Sequence, residues 1–160
     1  MHAAQTGWDQ ARLSRVCALG DPTVVARLAG MVRATAGSVV PLREATTELV
    51  LLEVADPVGG GSFYLGEVLV TTALVEVDGV AGGAVVVGND PERARAAALL
   101  DAALRRPDRD GRLVDALARE EASIARRHRR EWARVDRTRV QFETMEDTDP
   151  FRRGEGGAGA

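Results

Sequence analysis

The stretch Gly59–Val77, GGGSFYLGEVLVTTALVEV, constrains the fold more than any other part of this chain. Three consecutive glycines, Gly59, Gly60 and Gly61, free the backbone for positive φ or for close approach of another segment. An aromatic pair, Phe63 and Tyr64, and a glycine–acid step, Gly66–Glu67, come next. The run that follows has no proline and is rich in Val, Thr and Leu, the composition of a strand. A permissive loop joined to so strong a strand places a contact site on a rigid edge. Its candidate residues are Gly59, Gly60, Gly61, Phe63, Tyr64, Gly66 and Glu67.

The flanking sequence predicts what surrounds that strand. Trp8–Leu19 has helical composition, with Leu13, Val16 and Cys17 as its buried face and Gly20 at the C-cap position. Asp21–Pro22 supplies an N-cap followed by proline at the first helical position. Val24, Val25, Leu28, Ala29 and Val32 then share one stripe, so the two helices form an αα-hairpin. Val39–Ala45 is a weak strand whose Pro41 suits an edge, and Glu48–Ala55 is a second, better strand. Phe63–Asp78 reads as one long bent strand. Val68, Val70, Thr72 and Leu74 lie on one face, and Gly66 marks a bulge. Asp78–Gly79 turns the chain into a return strand at Gly82–Gly88.

Asn89–Asp90–Pro91 opens an alanine-rich helix over Arg93–Leu104, ending before Pro107. Leu113–Asp136 is a long helix. Its stripe of Val114, Leu117, Glu121, Ile124, His128, Glu131 and Val135 passes from apolar to mixed, marking a face that meets a partner or solvent. Arg139–Met145 alternates like a strand, with Val140 and Phe142 inward, and residues 152–160 read as a disordered tail. The expected class is α+β in a single domain over residues 1–151. It has an N-terminal helical hairpin, an antiparallel meander of about four to five strands, two further helices and a C-terminal strand.

Composition removes several kinds of chemistry. All 21 basic residues are Arg. Without Lys there is no phosphate-binding Walker A loop and no Schiff base. Cys17 is the only cysteine, which excludes an internal disulfide. With His2 and His128 it makes a poor ligand set for structural zinc. A net charge of −3 gives no global attraction to nucleic acid. The N-terminus, MHAAQTGWDQ, lacks the charged and apolar regions of a signal peptide, and no apolar run approaches the roughly 18 residues of a membrane span. The expected compartment is the cytoplasm.

The remaining polar residues do not converge. Glu67 reads as a partner salt bridge before it reads as an acid or base. His128 sits within Arg126, Arg127, Arg129 and Arg130 as a helix-face residue, and Cys17 reads as a small core residue. Acids at helical spacing flank the arginine run, so it reads as a solvated, salt-bridged helix. Trp132 within that run is a candidate interface anchor. The chain therefore reads as a binding or assembly subunit with no cofactor of its own. The rival reading is an independent small-molecule domain in which the amides of Gly59–Gly61 hold a phosphate or phosphonate and arginines complete the pocket.

Three ordered motifs resemble the PhnG subunit of the bacterial carbon–phosphorus lyase system. They are GGGSFYLGEVLVTTALVEV (Gly59–Val77), GGAVVVGNDPERARAAALLDAAL (Gly82–Leu104) and TRVQFETM (Thr138–Met145). This chain departs from the family pattern at Thr72, where an arginine is common. It departs again at Glu143, after Phe142, and at Glu146, Asp147 and Thr148. The resemblance implies a non-catalytic subunit in a cytoplasmic core with PhnH, PhnI and PhnJ, present in two copies. With PhnI, PhnH and PhnL it would support displacement of adenine from ATP by a phosphonate such as methylphosphonate. The product would be ribose 1-methylphosphonate 5-triphosphate. ATP is then a substrate of the complex, the nucleosidase-like step belongs to PhnI, and radical cleavage belongs to the iron–sulfur subunit PhnJ. No nucleic acid or membrane partner is implied.

Overall fold

The computed structural model describes residues 8–138, with helices on one side of a three-stranded antiparallel sheet. The chain begins with α1 (Gln10–Leu19) and α2 (Pro22–Thr35). Asp9 caps α1 by accepting from the Arg12 amide, and Asp21 caps α2 by accepting from the Thr23 amide, with Pro22 in the first turn. The expected stripes are buried: Leu13, Val16 and Cys17 on α1, and Val25, Leu28, Ala29 and Val32 on α2. Gly20 works by close approach, since its φ of −70° is open to any residue. A Cβ there would lie 2.5 Å from the Val16 carbonyl oxygen.

The sheet comprises β1 (Val39–Ala55), β2 (Ser62–Val77) and β3 (Val80–Val87), in that spatial order. Two expectations change here. The weak strand Val39–Ala45 and the strand Glu48–Ala55 are one continuous β1, so the described sheet has three strands where four to five were expected. The cause is visible in the register. Pro41 pairs with Val75, Arg43 with Leu74, and Thr46 with Thr72, so β1 twice takes up an extra residue as a bulge instead of breaking. Pro41 is tolerated because β1 is an edge strand. The C-terminal strand expected at Arg139–Met145 and the tail at 152–160 lie outside the described residues.

The other strand features hold. Leu52 pairs with Gly66 and Glu53 with Tyr64, which leaves Leu65 as the extra residue of a bulge. Gly66, at φ 153°, takes a backbone conformation that favours glycine. Asp78 (φ 49°) and Gly79 (φ 82°) form the two-residue turn into β3.

Next comes α3 (Pro91–Arg105), capped by Asp90, which accepts from the Arg93 amide. It is the centre of the molecule. Ala94, Ala98, Leu100 and Ala102 are fully buried, and α3 packs on the sheet, on α1 and on α2. The small alanines let its backbone approach β3 closely. A Cβ at Gly82 would lie 2.2 Å from the Ala102 nitrogen. The half-exposed Arg105 and the buried Asp101 complete the contact. Asp101 accepts from the Gly83 amide at 3.0 Å and from Arg105 Nε at 2.9 Å. The last element, α4 (Gly111–Asp136), is capped by Asp110 and buries Leu113, Leu117, Glu120 and Ile124.

Two glycine substitutions test this packing in opposite directions. Gly82→Ala drives a methyl into the α3 backbone and is expected to cost about 3 kcal/mol, as severe overpacking does. Gly30→Ala, inside α2 with nothing within 4 Å of the new Cβ, is expected to stabilise by about 0.5–1 kcal/mol. Urea denaturation of both variants reads the difference.

Candidate functional site

Seven of the eight sequence-assigned contact residues lie together on one projection. β3 pairs only with Val70–Val77 of β2. Beyond Leu69, β1 and β2 continue alone as a two-stranded arm, tipped by the loop over residues 56–61. Not one residue from Leu49 to Leu69 is buried. Gly59, Gly60 and Gly61 form the tip, and Phe63, Tyr64, Gly66 and Glu67 lie on β2 just below it. Trp132 stands apart, on the last turns of α4.

The arm is apolar on both faces. Residues paired in register share a face. Leu49, Leu51, Leu69 and Tyr64, with Glu53 and Glu67, lie on the side that carries the helices elsewhere in the sheet. Val50, Leu52, Val54, Phe63 and Val68 lie on the opposite side. That opposite side continues across the sheet through Leu74, Val85 and Val87, all exposed. Leu51 is 61% exposed, Tyr64 65% and Leu65 64%. A two-stranded ribbon is marginal alone in water, and an apolar surface of this extent marks an interaction site.

The glycine loop is closed by the chain itself. The Asp56 amide donates to the Gly61 carbonyl at 2.8 Å, and the Asp56 carboxylate accepts from the Val58 amide at 2.9 Å. Hydrogen bonds from Val58 and then Gly59 hold the Asp56 carboxyl below its usual range. A Cβ at Gly59 would lie 2.5 Å from Asp56 Oδ2, so a side chain there would displace that carboxylate. Gly60 sits at φ 69°. The Val58 and Gly59 amides thus already serve an internal carboxylate, which works against their holding a phosphate.

The first two sequence motifs meet physically at Thr71, which is fully buried. Its hydroxyl donates to the Gly88 carbonyl at 2.6 Å and accepts from the Asp90 amide at 3.0 Å. Thr47 on β1 lies 3.1 Å from the same oxygen and donates to Asn89 Oδ1 at 2.9 Å. The threonine of the central strand thus fixes the Gly-Asn-Asp-Pro turn that starts α3. Next to it, Thr72 occupies the position where the resemblance expects arginine. Its hydroxyl donates to Glu48 at 2.9 Å, and the Arg43 guanidinium lies 3.6 Å from the same carboxylate. A cation from β1 therefore stands near the place where the family pattern has one on β2.

A family model for the phosphonate metabolism protein PhnG matches residues 10–147. The chain belongs to that family. Its place in phosphonate metabolism follows from that membership. A search of curated proteins finds no match. No described helix is long and apolar enough to cross a membrane.

The remaining reactive side chains serve the fold. Burial pushes the Cys17 thiol up to about 11, against a smaller downward pull from Arg93. Arg93 Nη1 donates to the Ala18 carbonyl at 3.0 Å, and Arg127 donates to the Leu19 carbonyl, so two helices cap the end of α1. Glu120, also buried, accepts from the Asp21 amide at 2.9 Å. His128 Nε2 accepts the Trp132 indole N–H at 2.9 Å, with the two rings edge to face. Among the described residues no group of three or more His, Cys, Asp or Glu is placed to hold a metal ion.

One signal was open to sequence reading and was missed. Between Arg43 and Arg93 there is no basic residue, while Glu44, Glu48, Glu53, Asp56, Glu67, Glu76 and Asp78 all fall there. The sheet is mainly acidic, with Arg43 its one base, and the helices carry most of the arginines.

Two measurements check these local readings. Thr71→Val leaves a buried amide and carbonyl without their partner and is expected to cost about 1–3 kcal/mol, with Thr71→Ser restoring most of it in urea denaturation. Cys17 is expected to resist alkylation in the native protein at pH 8 and to react at once in urea. Because its folded pKa is raised, the unfolded thiol ionises first, so the Cys17 contribution to stability falls as pH rises above the ordinary thiol value.

Proposed function

We propose that this chain is an assembly subunit of a carbon–phosphorus lyase complex. In that role it supports formation of ribose 1-methylphosphonate 5-triphosphate from ATP and methylphosphonate, alongside PhnI-, PhnH- and PhnL-type subunits. The observation that carries the reading is the uncovered β arm. Family membership sets the pathway, and the arm supplies a reason for the chain to need a partner. Gly59–Gly61, Phe63, Tyr64, Gly66, Glu67 and Trp132 are the contact residues of this reading. The arm is offered to partner subunits, and the radical step and its iron–sulfur cluster are left to a PhnJ-type subunit. The complex would hold two copies of this chain in the cytoplasm.

Large aromatic side chains half out of water are the residues that most often dominate binding energy. Phe63 and Tyr64 face opposite sides of the arm, so each face offers one aromatic side chain to be desolvated. A stable interface of this kind buries on the order of 1,600 Å². The Val58 and Gly59 amides serve Asp56, and the reading of an independent phosphate-binding domain has no specific observation in its favour.

Co-expression with a PhnI-type subunit followed by size exclusion is the direct test. The two chains are expected to co-elute. Phe63→Ala is expected to weaken the pairing by tenfold or more, while changing the stability of the isolated chain by less than about 0.5 kcal/mol, as exposed positions do. A chain that never co-elutes, or whose pairing ignores this substitution, overturns the reading.

A further inference from the structure

The exposed end of α4 is the chemical complement of the arm. After Ile124 the helix leaves the body, and every residue from Arg126 to Thr138 is exposed. The stripe that is buried earlier, through Leu113, Leu117 and Ile124, continues outward as His128, Trp132 and Val135. Trp132 is 61% exposed and Val135 59%. Helical geometry of about 100° per residue places Glu131 inside this stripe, Arg129 beside Asp136 on one flank and Arg134 on the other. Between Arg126 and Thr138 there are Arg126, Arg127, Arg129, Arg130, Arg134 and Arg137 against only Glu131 and Asp136. Neither Arg129 nor Arg134 has an ion pair among the described residues.

The arm offers the opposite pattern. Its helix-side face presents Leu49, Leu51, Leu69 and Tyr64 together with Glu53 and Glu67. Glu53 has only the Ser62 hydroxyl as a described partner, and Glu67 has none. An acidic apolar face and a basic apolar helix end therefore belong to one chain, and no described residue covers either of them.

We propose that two copies of this chain pair reciprocally, the end of α4 from one copy lying on the helix-side face of the other's arm. Trp132 and Val135 cover Leu49, Leu51 and Tyr64, and Arg129 and Arg134 meet Glu53 and Glu67. The arrangement is isologous: the same two surfaces meet twice about a two-fold axis. This deepens the assembly reading and rests on it, by naming the occupant of one face of the arm. The opposite face, with Phe63, Val85 and Val87, stays open for a different subunit.

Sedimentation velocity of the full chain at 50 mM and 500 mM NaCl tests the proposal. A dimer is expected at low salt, with its dissociation constant rising at least tenfold at high salt, because rim charges are screened. Arg129→Glu with Arg134→Glu is expected to give a monomer, as is Glu53→Arg with Glu67→Arg. All four substitutions in one chain are expected to restore the dimer, which also shows that the single-surface variants fold. A monomer at low salt, a dimer that persists in either single-surface variant, or failure of the combined variant to recover would overturn the proposal. Pairing with a PhnI-type subunit is measured separately, so loss of the homodimer and loss of the assembly role are distinguishable.

Discussion

The close approach of α3 to β3 is the constraint on which the rest of the molecule depends. A helix normally stands off a sheet by the depth of two side-chain layers. Here Gly82 contributes no side chain and Ala94, Ala98 and Ala102 contribute only methyls, so helix backbone nearly meets strand backbone. That contact seats α3 at the centre, where α1 and α2 can also pack on it. Asp101 reinforces the seat by reaching the Gly83 amide from α3, which satisfies a strand donor that no neighbouring strand takes. A buried carboxylate is acceptable there because it accepts both that amide and the Arg105 guanidinium.

The same economy of side chains explains where the core ends. α3 is short, and its alanines cover only the part of the sheet where β3 runs beside β2. Thr71 stands at that boundary. On one side are Ala73, Val75 and Val77, all buried; on the other is the exposed ribbon from Leu69 outward. Its hydroxyl holds the turn into α3, so the strand that forms the arm and the helix that organises the body are tied at one buried atom. Whatever binds the arm therefore pulls on a strand anchored in the core.

Local chemistry was legible in the sequence; extent was not. The Asp9, Asp21, Asp90 and Asp110 caps, the stripe on α2, the Gly66 bulge and the Asp78–Gly79 turn each follow from a rule acting over a few residues, and the Asp21, Asp90, bulge and turn signals were read directly. The continuity of β1 was hidden because bulges at Leu42 and between Arg43 and Thr46 twice shift the pleat, so a period-two reading breaks where the strand does not. The candidate contact residues were legible as a cluster because glycines and aromatics announce an edge. Their exposure was not, since ELVLLEVA has the composition of a buried strand. Only the tertiary fact that β3 ends at Val87, opposite Val70, shows that no described residue buries these leucines. The meeting of Thr71 with Gly88 and Asp90 was likewise out of reach, because it joins positions that no local rule connects.

An apolar ribbon with most of its residues exposed is a poor thing for a lone chain to carry, since it presents strand edges and leucines that invite non-specific pairing. The distribution of charge shows how the chain limits that hazard. Arg43 is the one base on a sheet that also carries Glu44, Glu48, Glu53, Glu67 and Glu76, while arginines outnumber acids on the helices. Like-charged arms repel one another, so edge-to-edge stacking of two arms is disfavoured, while a basic apolar surface is attracted to the same place. Charge segregation between the two layers thus acts as a selection rule. It leaves the apolar area available for binding and restricts which surfaces can reach it.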